Sequence, residues 1–242
     1  MNKNDVIAML ERLKSEKSFS DFKLKKSDKS LIRKFDWGWQ KISFDHYNGF
    51  DPDRKDLALV VKPSYNVRFN IYHKWFEKYS PINLKDQRER DTVGFDEVML
   101  GKPKTFLGFY FLESREDYEE DYEVLKKDVI EHASYIFNRF QTLKDVYDYR
   151  IGELLSGNLR QFRHGSDWIF EDLFLARIVS PQNYQYVKRK ILERLEAIYN
   201  NIYTRSDYVE MYYAKASEII AYLESIPIDN IPSNLIGNDS KS

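Results

Sequence analysis

Four histidines are the first candidates for chemistry: His46, His73, His132 and His164. An imidazole changes charge near neutral pH, so it can move protons or ligate a metal. A helical zinc site needs two histidines at HExxH spacing, and none stand so. They are scattered, so a metal site would have to converge from distant segments, and no metal or cofactor is expected. Asp45–His46 lies near the end of one apolar-alternating run, and His73 lies just beyond another. If both runs are strands of one sheet, these residues could be neighbours on one side of it and share acid–base work. His132 instead stands in an apolar helical stripe, where a packed core histidine is the simpler explanation.

The most site-like local cluster is Arg163–His164–Gly165–Ser166–Asp167. A loop entering a helix capped by Ser166 or Asp167 explains it without any ligand. The functional version is an anion held by Arg163, His164 and that helix N-terminus. In the run 65–72, Val67, Phe69 and Ile71 alternate with Arg68, Asn70 and Tyr72, leaving a polar face around Arg68 open to a ligand. The binding candidates are therefore His46, Arg68, His73, Arg163 and His164, and no catalytic residue is assigned. The nine glycines form neither GxGxxG nor GxxxxGK[ST]. The charged RERD at 88–91 has no second carboxylate set with lysine and reads as a solvated loop.

These residues must be positioned by two blocks of elements. Val6, Met9, Leu10 and Leu13 follow Asp5, a plausible cap, at helical spacing. Strands are expected at Leu31–Phe35 and Trp37–Tyr47. In the second, apolar residues change phase between Trp39 and Ile42, which calls for a bulge or for cover on both faces. The apolar run 57–61 reads as an interior strand ended by Pro63, and the run 67–72 as a separate half-buried strand. The run 105–112 reads as a central strand. From residue 114 the period becomes helical. Tyr118, Tyr122, Leu125, Val129, His132, Ile136 and Phe137 form one stripe, and later stripes begin at Leu143, Trp168, Tyr184 and Tyr208. Ser114 with Asp117, and Thr204 with Asp207, read as helix starts.

This order implies an α+β fold. An antiparallel sheet of about five strands follows a short helix and precedes a C-terminal half of about five helices. One domain over residues 1–226 is expected, with a sub-boundary near 112–116 and a loosely ordered tail at 227–242.

Composition sets the outer limits. At 242 residues, 42% hydrophobic and 32% charged, the chain can bury a substantial core. The net charge of −1 argues against general nucleic-acid binding. Charge is nonetheless segregated: Arg12 to Lys34 holds nine basic and three acidic residues, and Glu113 to Glu131 holds nine acidic and three basic ones. Two solvated faces are the favoured reading, since exposed pairs are individually weak. Acidic residues early in a helix also complement its dipole. The chain has no cysteine, and its start lacks the apolar core of a signal peptide. No apolar run is long enough to span a bilayer, so a cytoplasmic location without membrane association is expected.

The N-terminal half, with its DFKLKK segment, LIRKF, WGWQKISFDHY and YNVRFNIY, resembles the DUF4304-like group of bacterial proteins of unknown function. The resemblance covers residues 1–112. It implies an α+β fold with no assigned catalytic residues and suggests, by analogy, an immunity-type role. The functional expectation is a non-enzymatic protein acting through a protein partner. The alternative is an enzyme or a small-ligand or anion binder with its site near His46 and His73, or Arg163 and His164.

Overall fold

A computed structural model describes residues 3–51, 56–96, 99–100, 109–112, 118–151, 169–203 and 205–237. The chain forms two compact units, each discontinuous in sequence. The first comprises Met1–Arg68 and Asp91–Arg139, and the second comprises Phe69–Arg90 and Phe140–Ser242.

The first unit begins with α1, Lys3–Ser15, which buries Val6, Met9, Leu10 and Leu13 completely. Asp5 lies inside its first turn rather than capping it. The strands β1 (Lys23–Lys25), β2 (Ser30–Phe35), β3 (Gly38–Asp51), β4 (Asp56–Phe69), β5 (Val93–Asp96) and β6 (Tyr110–Leu112) form one sheet. Its order is β1-β2-β3-β4-β5, with β6 also on β4. The pairings of β1 with β2, β2 with β3, and β4 with β5 and β6 are all antiparallel.

The β2–β3 register runs unbroken from Phe35 opposite Gly38 to Ser30 opposite Ser43, so there is no bulge at 40–41. The phase change reflects burial on both faces, since Trp39, Ile42 and Phe44 are all buried.

Pro63 does not end a strand; β4 runs straight through it. On one edge β4 pairs with β6 at Leu59–Val61 and with β5 at Ser64–Val67. Pro63 sits in the gap between those partners, where a missing N–H costs no ladder bond. Gly94 is held to glycine by its neighbours, because an added Cβ would lie 2.5 Å from Asp91 Oδ2 and 2.8 Å from Asn66 Oδ1.

The helix α4, Tyr118–Arg139, closes this unit and buries the stripe its period announced. His132 lies in it, buried, with its ring edge-on to Tyr65 at 6.0 Å. Tyr110 donates to the buried carboxylate of Asp128 at 3.0 Å, tying β6 to α4. The basic and acidic segments are joined rather than separately solvated at one point. Arg12 forks onto Glu119 at 2.9 and 2.7 Å while lying 3.7 Å over the Tyr122 ring. Residues 101–108, and the Ser114 and Asp117 helix start, lie outside the described residues.

In the second unit the described elements are helical. They are α2 (Asn70–Lys74), α3 (Leu84–Glu89), α5 (Leu143–Arg150), α6 (Ile169–Val179), α7 (Tyr184–Asn200), α8 (Asp207–Ser225) and the single turn α9 (Ser233–Ile236). The strand expected through Tyr72 stops at Phe69. Six alternating residues cannot distinguish strand from helix when Tyr72, Phe76 and Tyr79 follow at helical spacing. Thr142 and Asp145 form a reciprocal capping box on α5. Ser206 caps α8, accepting from the Val209 amide; Thr204 lies outside the described residues. The core of this unit is aromatic: Phe76 stands 6.2 Å from Phe170 and 5.8 Å from Tyr212, and Trp75 stacks on Phe174 at 5.9 Å. The helix α6 packs against α2, α5, α7 and α8.

Among the described residues, no helix is long and apolar enough to cross a membrane.

Candidate functional site

The helix α6 reads IFEDLFLARIV, an apolar segment that carries two adjacent carboxylates into the core. Phe170, Leu173, Phe174, Leu175 and Ala176 are all buried, and so are Glu171 and Asp172 between them. A carboxylate in such surroundings must be neutralised or hydrogen-bonded, because burying an unpaired charge is prohibitive. The second unit supplies partners for each.

Asp172 is held by Arg150, which ends α5. Nε donates to Oδ1 at 2.6 Å, and Nη2 donates to Oδ2 at 3.1 Å. The Tyr72 hydroxyl of α2 donates to the same Oδ1 at 2.9 Å. Burial pushes the Tyr72 phenol well above its usual range, and Asp172 and Glu171 add to that against the opposing field of Arg150. For Arg150, desolvation disfavours the cation, but Asp172 and Tyr72 outweigh it and the guanidinium is held charged. Arg194 of α7 is lowered by desolvation, with Asp172 opposing.

Glu171 takes the other side. Its Oε1 is 2.9 Å from His73 Nδ1, and both side chains are buried. Its Oε2 has the Arg90 guanidinium at 3.8 Å and no hydrogen-bond partner among the described residues. Tyr72 and His73 are adjacent on α2, so one short helix presents a phenol to Asp172 and an imidazole to Glu171.

Chemically, this is a neutralised buried network. Its bonds from Arg150 and Tyr72 to Asp172 and the contact of His73 with Glu171 tie α2, α5 and α6 together. Among the described residues, no group of three or more His, Asp or Glu side chains could hold a metal ion.

The sequence candidates divide as follows. His73 is in this network. His46 lies half-buried on β3 of the first unit, beside exposed Asp45. Arg68 is buried at the end of β4 in the first unit rather than on an open polar face, and Tyr72 is fully buried. Arg163 and His164 lie outside the described residues. Sequence reading missed Arg150, Glu171 and Asp172. The available signal was the acidic pair inside an otherwise apolar helix, which requires buried cations.

A second feature lies on the surface of the same unit, where α7 turns into α8. Ile202 is 77% exposed and Tyr203 91% exposed. Asn201 accepts from the Tyr203 amide at 3.0 Å through its side chain and from the Arg205 amide at 2.9 Å through its carbonyl. Tyr199 and Tyr213 stack in parallel at 4.1 Å beside it, with the Arg205 guanidinium 4.5 Å over Tyr199. Tyr208, expected on the apolar side of its helix, is half-exposed here.

Compared with family models, with curated proteins and with solved structures, the chain matches none.

Proposed function

We propose that this protein is a non-enzymatic binding protein that works through a protein partner, engaged at the connection between α7 and α8. The observation that carries the reading is the exposure of Ile202 and Tyr203, next to the Tyr199–Tyr213 stack and Arg205. Tyrosine and arginine are the residue types that dominate binding hot spots, because a rigid ring offers large contact area at little entropic cost. The hydrogen bond from the Tyr203 amide to Asn201 lowers that cost further. The buried network around Asp172 fits this reading, since its groups hold one another in place within the unit.

An immunity-type pairing, with a toxin as the partner, is the version that the N-terminal resemblance suggests. The experiment is photo-crosslinking from position 203 in native host cells, with neighbouring genes expressed. A discrete adduct with one other protein is expected. No adduct, or an adduct only with a second copy of this chain, would contradict the reading.

One observation favours a second reading, an acid–base or ligand site at His73. Glu171 Oε2 is buried with a cation at 3.8 Å rather than in hydrogen-bonding contact, which leaves capacity for one further donor. Retention of partner binding by His73→Gln would separate the two readings.

A further inference from the structure

The strand registers sort the residues of β1, β2 and β3 onto two faces of the sheet. Side chains opposite one another on paired strands share a face, as do alternate residues along a strand. Leu31, Arg33, Gln40 and Ile42 fall on one face. That face meets α4, where Gln40 donates to the Phe137 carbonyl at 3.4 Å. The other face carries Lys23 of β1, Ile32 and Lys34 of β2, and Trp39 and Lys41 of β3.

Three lysines form a triangle on this second face. Lys23 and Lys41 flank Ile32 in register, so the strand spacing sets their backbones roughly 10 Å apart. Lys34 stands two residues along the middle strand, roughly 7 Å from Ile32. Lys23 and Lys34 are exposed, and Lys41 is half-buried with its Nζ 5.0 Å over the buried Trp39 ring. Neighbouring cations are compensated: Lys25 by Asp28 at 3.0 Å, Lys26 by Glu11 at 2.7 Å and Arg33 by Asp21 at 2.6 Å. Lys23, Lys34 and Lys41 have no ion-pair partner among the described residues. Further along β3, alternation brings Tyr47 to the same face, about 20 Å from Lys41. Its ring is 52% exposed and stands edge-on to Phe109 at 5.9 Å, with Lys62 Nζ 5.6 Å over Phe109. One exposed carboxylate, Asp45, lies between Lys41 and Tyr47.

We infer that this face binds a single-stranded nucleic acid, with phosphates over the lysine triangle and a base on Tyr47. Three uncompensated cations on one surface call for a polyanion. An exposed ring beyond them, on the same surface, selects a polyanion that also carries planar groups. A duplex does not fit, because the major groove admits one helix or a two-stranded ribbon and this face is three strands wide. An open sheet face with an exposed ring accepts splayed, unpaired bases instead. The chain's net charge of −1 supplies no general attraction to nucleic acid, so binding is confined to this face and is weak and salt-sensitive. The site uses residues of the first unit only and does not depend on the partner reading proposed for residue 203.

The probe is a fluorescein-labelled oligothymidylate of about twelve residues, within the usual span of single-strand sites, titrated with the full chain by fluorescence anisotropy. Binding in low salt is expected. The logarithm of the binding constant should fall against that of salt with a slope of about −2, as three neutralised phosphates give. Lys23→Gln, Lys34→Gln and Lys41→Gln should each weaken binding about three- to tenfold and make the slope shallower by about 0.7. Tyr47→Ala should weaken it about fivefold or more with the slope unchanged, and Tyr47→Phe should keep the affinity. Lys215→Gln, at an exposed site in the other unit, should change nothing. None of these side chains is buried, and circular dichroism checks that each variant keeps the fold. No binding in low salt would overturn the proposal. Polyglutamate competing as well as the unlabelled strand would point to an acidic protein instead, and an equally effective duplex would mark a surface for any polyanion; either result contradicts it. So would a loss at Lys215 equal to that at the triangle, or full affinity in Tyr47→Ala.

Discussion

Arg150 and Asp172 meet as a two-pronged ion pair, at 2.6 and 3.1 Å, with both side chains buried in the second unit. The pair joins the end of α5 to the start of α6, and Tyr72 adds a third hydrogen bond from α2. Its contribution to stability is asymmetric. The assembled pair barely exceeds the cost of desolvating it, but half of it is worse than none.

Asp172→Ala should therefore destabilise the protein by about 3–5 kcal/mol, by stranding a buried guanidinium. Arg150→Met combined with Asp172→Leu should recover most of that loss. Denaturant unfolding of Arg150→Met, Asp172→Leu and the double gives the coupling directly. Additive losses would mean the pair is not the hub described.

The alkaline limb of stability should be steep. Burial raises the Tyr72 phenol well above its ordinary value of 10.0, and raises Tyr122 to about 12. A group whose folded pKa is raised stabilises the fold below its unfolded pKa, and that contribution is lost as pH rises through the interval up to its folded pKa. Stability should fall from about pH 10 upward. Tyr72→Phe should lessen that slope by about one proton while costing about 1.5–3 kcal/mol near neutrality, the worth of a hydrogen bond to a charged group. Unfolding midpoints measured across the alkaline range test both effects.

At acid pH the sign reverses. A hydrogen bond from Lys188, with a second from Tyr184, holds the Glu224 carboxyl below its ordinary value of 4.5. Its contribution is present above that value and lost as pH falls through the depressed folded pKa. The pair is partly exposed and solvent-screened, so Glu224→Gln should cost under about 1 kcal/mol at neutral pH. The variant should show a shallower acid limb, and an unchanged limb in acid titration of stability would contradict the assignment.

Arg12 should prove unequal to lysine. Its guanidinium forks onto Glu119 and lies 3.7 Å over Tyr122. An ammonium cannot fork and stack at once. Arg12→Lys should lose about 0.5–2 kcal/mol by thermal unfolding, as a stacked and forked contact would. Glu119→Gln should remove part of the difference between arginine and lysine.

The regular elements were legible where one period ran long enough. The stripe of α4 announced both the helix and the burial of His132, and the change from strand to helical texture gave the α+β class. The transition at Phe69–Asn70 was not legible, because Val67, Phe69 and Ile71 alternate like a strand while the helical period that overrides them begins only at Tyr72. Pro63 misled for a related reason. A proline ends a strand unless the neighbouring partner also has a gap there, and that gap is a fact about β5 and β6. The network of the second unit was hidden by distance, since Tyr72, Arg150 and Asp172 are far apart in the chain. Only the acidic pair in α6 hinted at it.

The partner reading is tested most directly at Tyr203. With the protein cross-linked from that position in hand, titration calorimetry would compare the unmodified chain with Tyr203→Ala. The account expects a loss of about 2 kcal/mol or more in binding free energy, the mark of a hot spot, with the unfolding midpoint unchanged. Equal affinity for the two chains would contradict it.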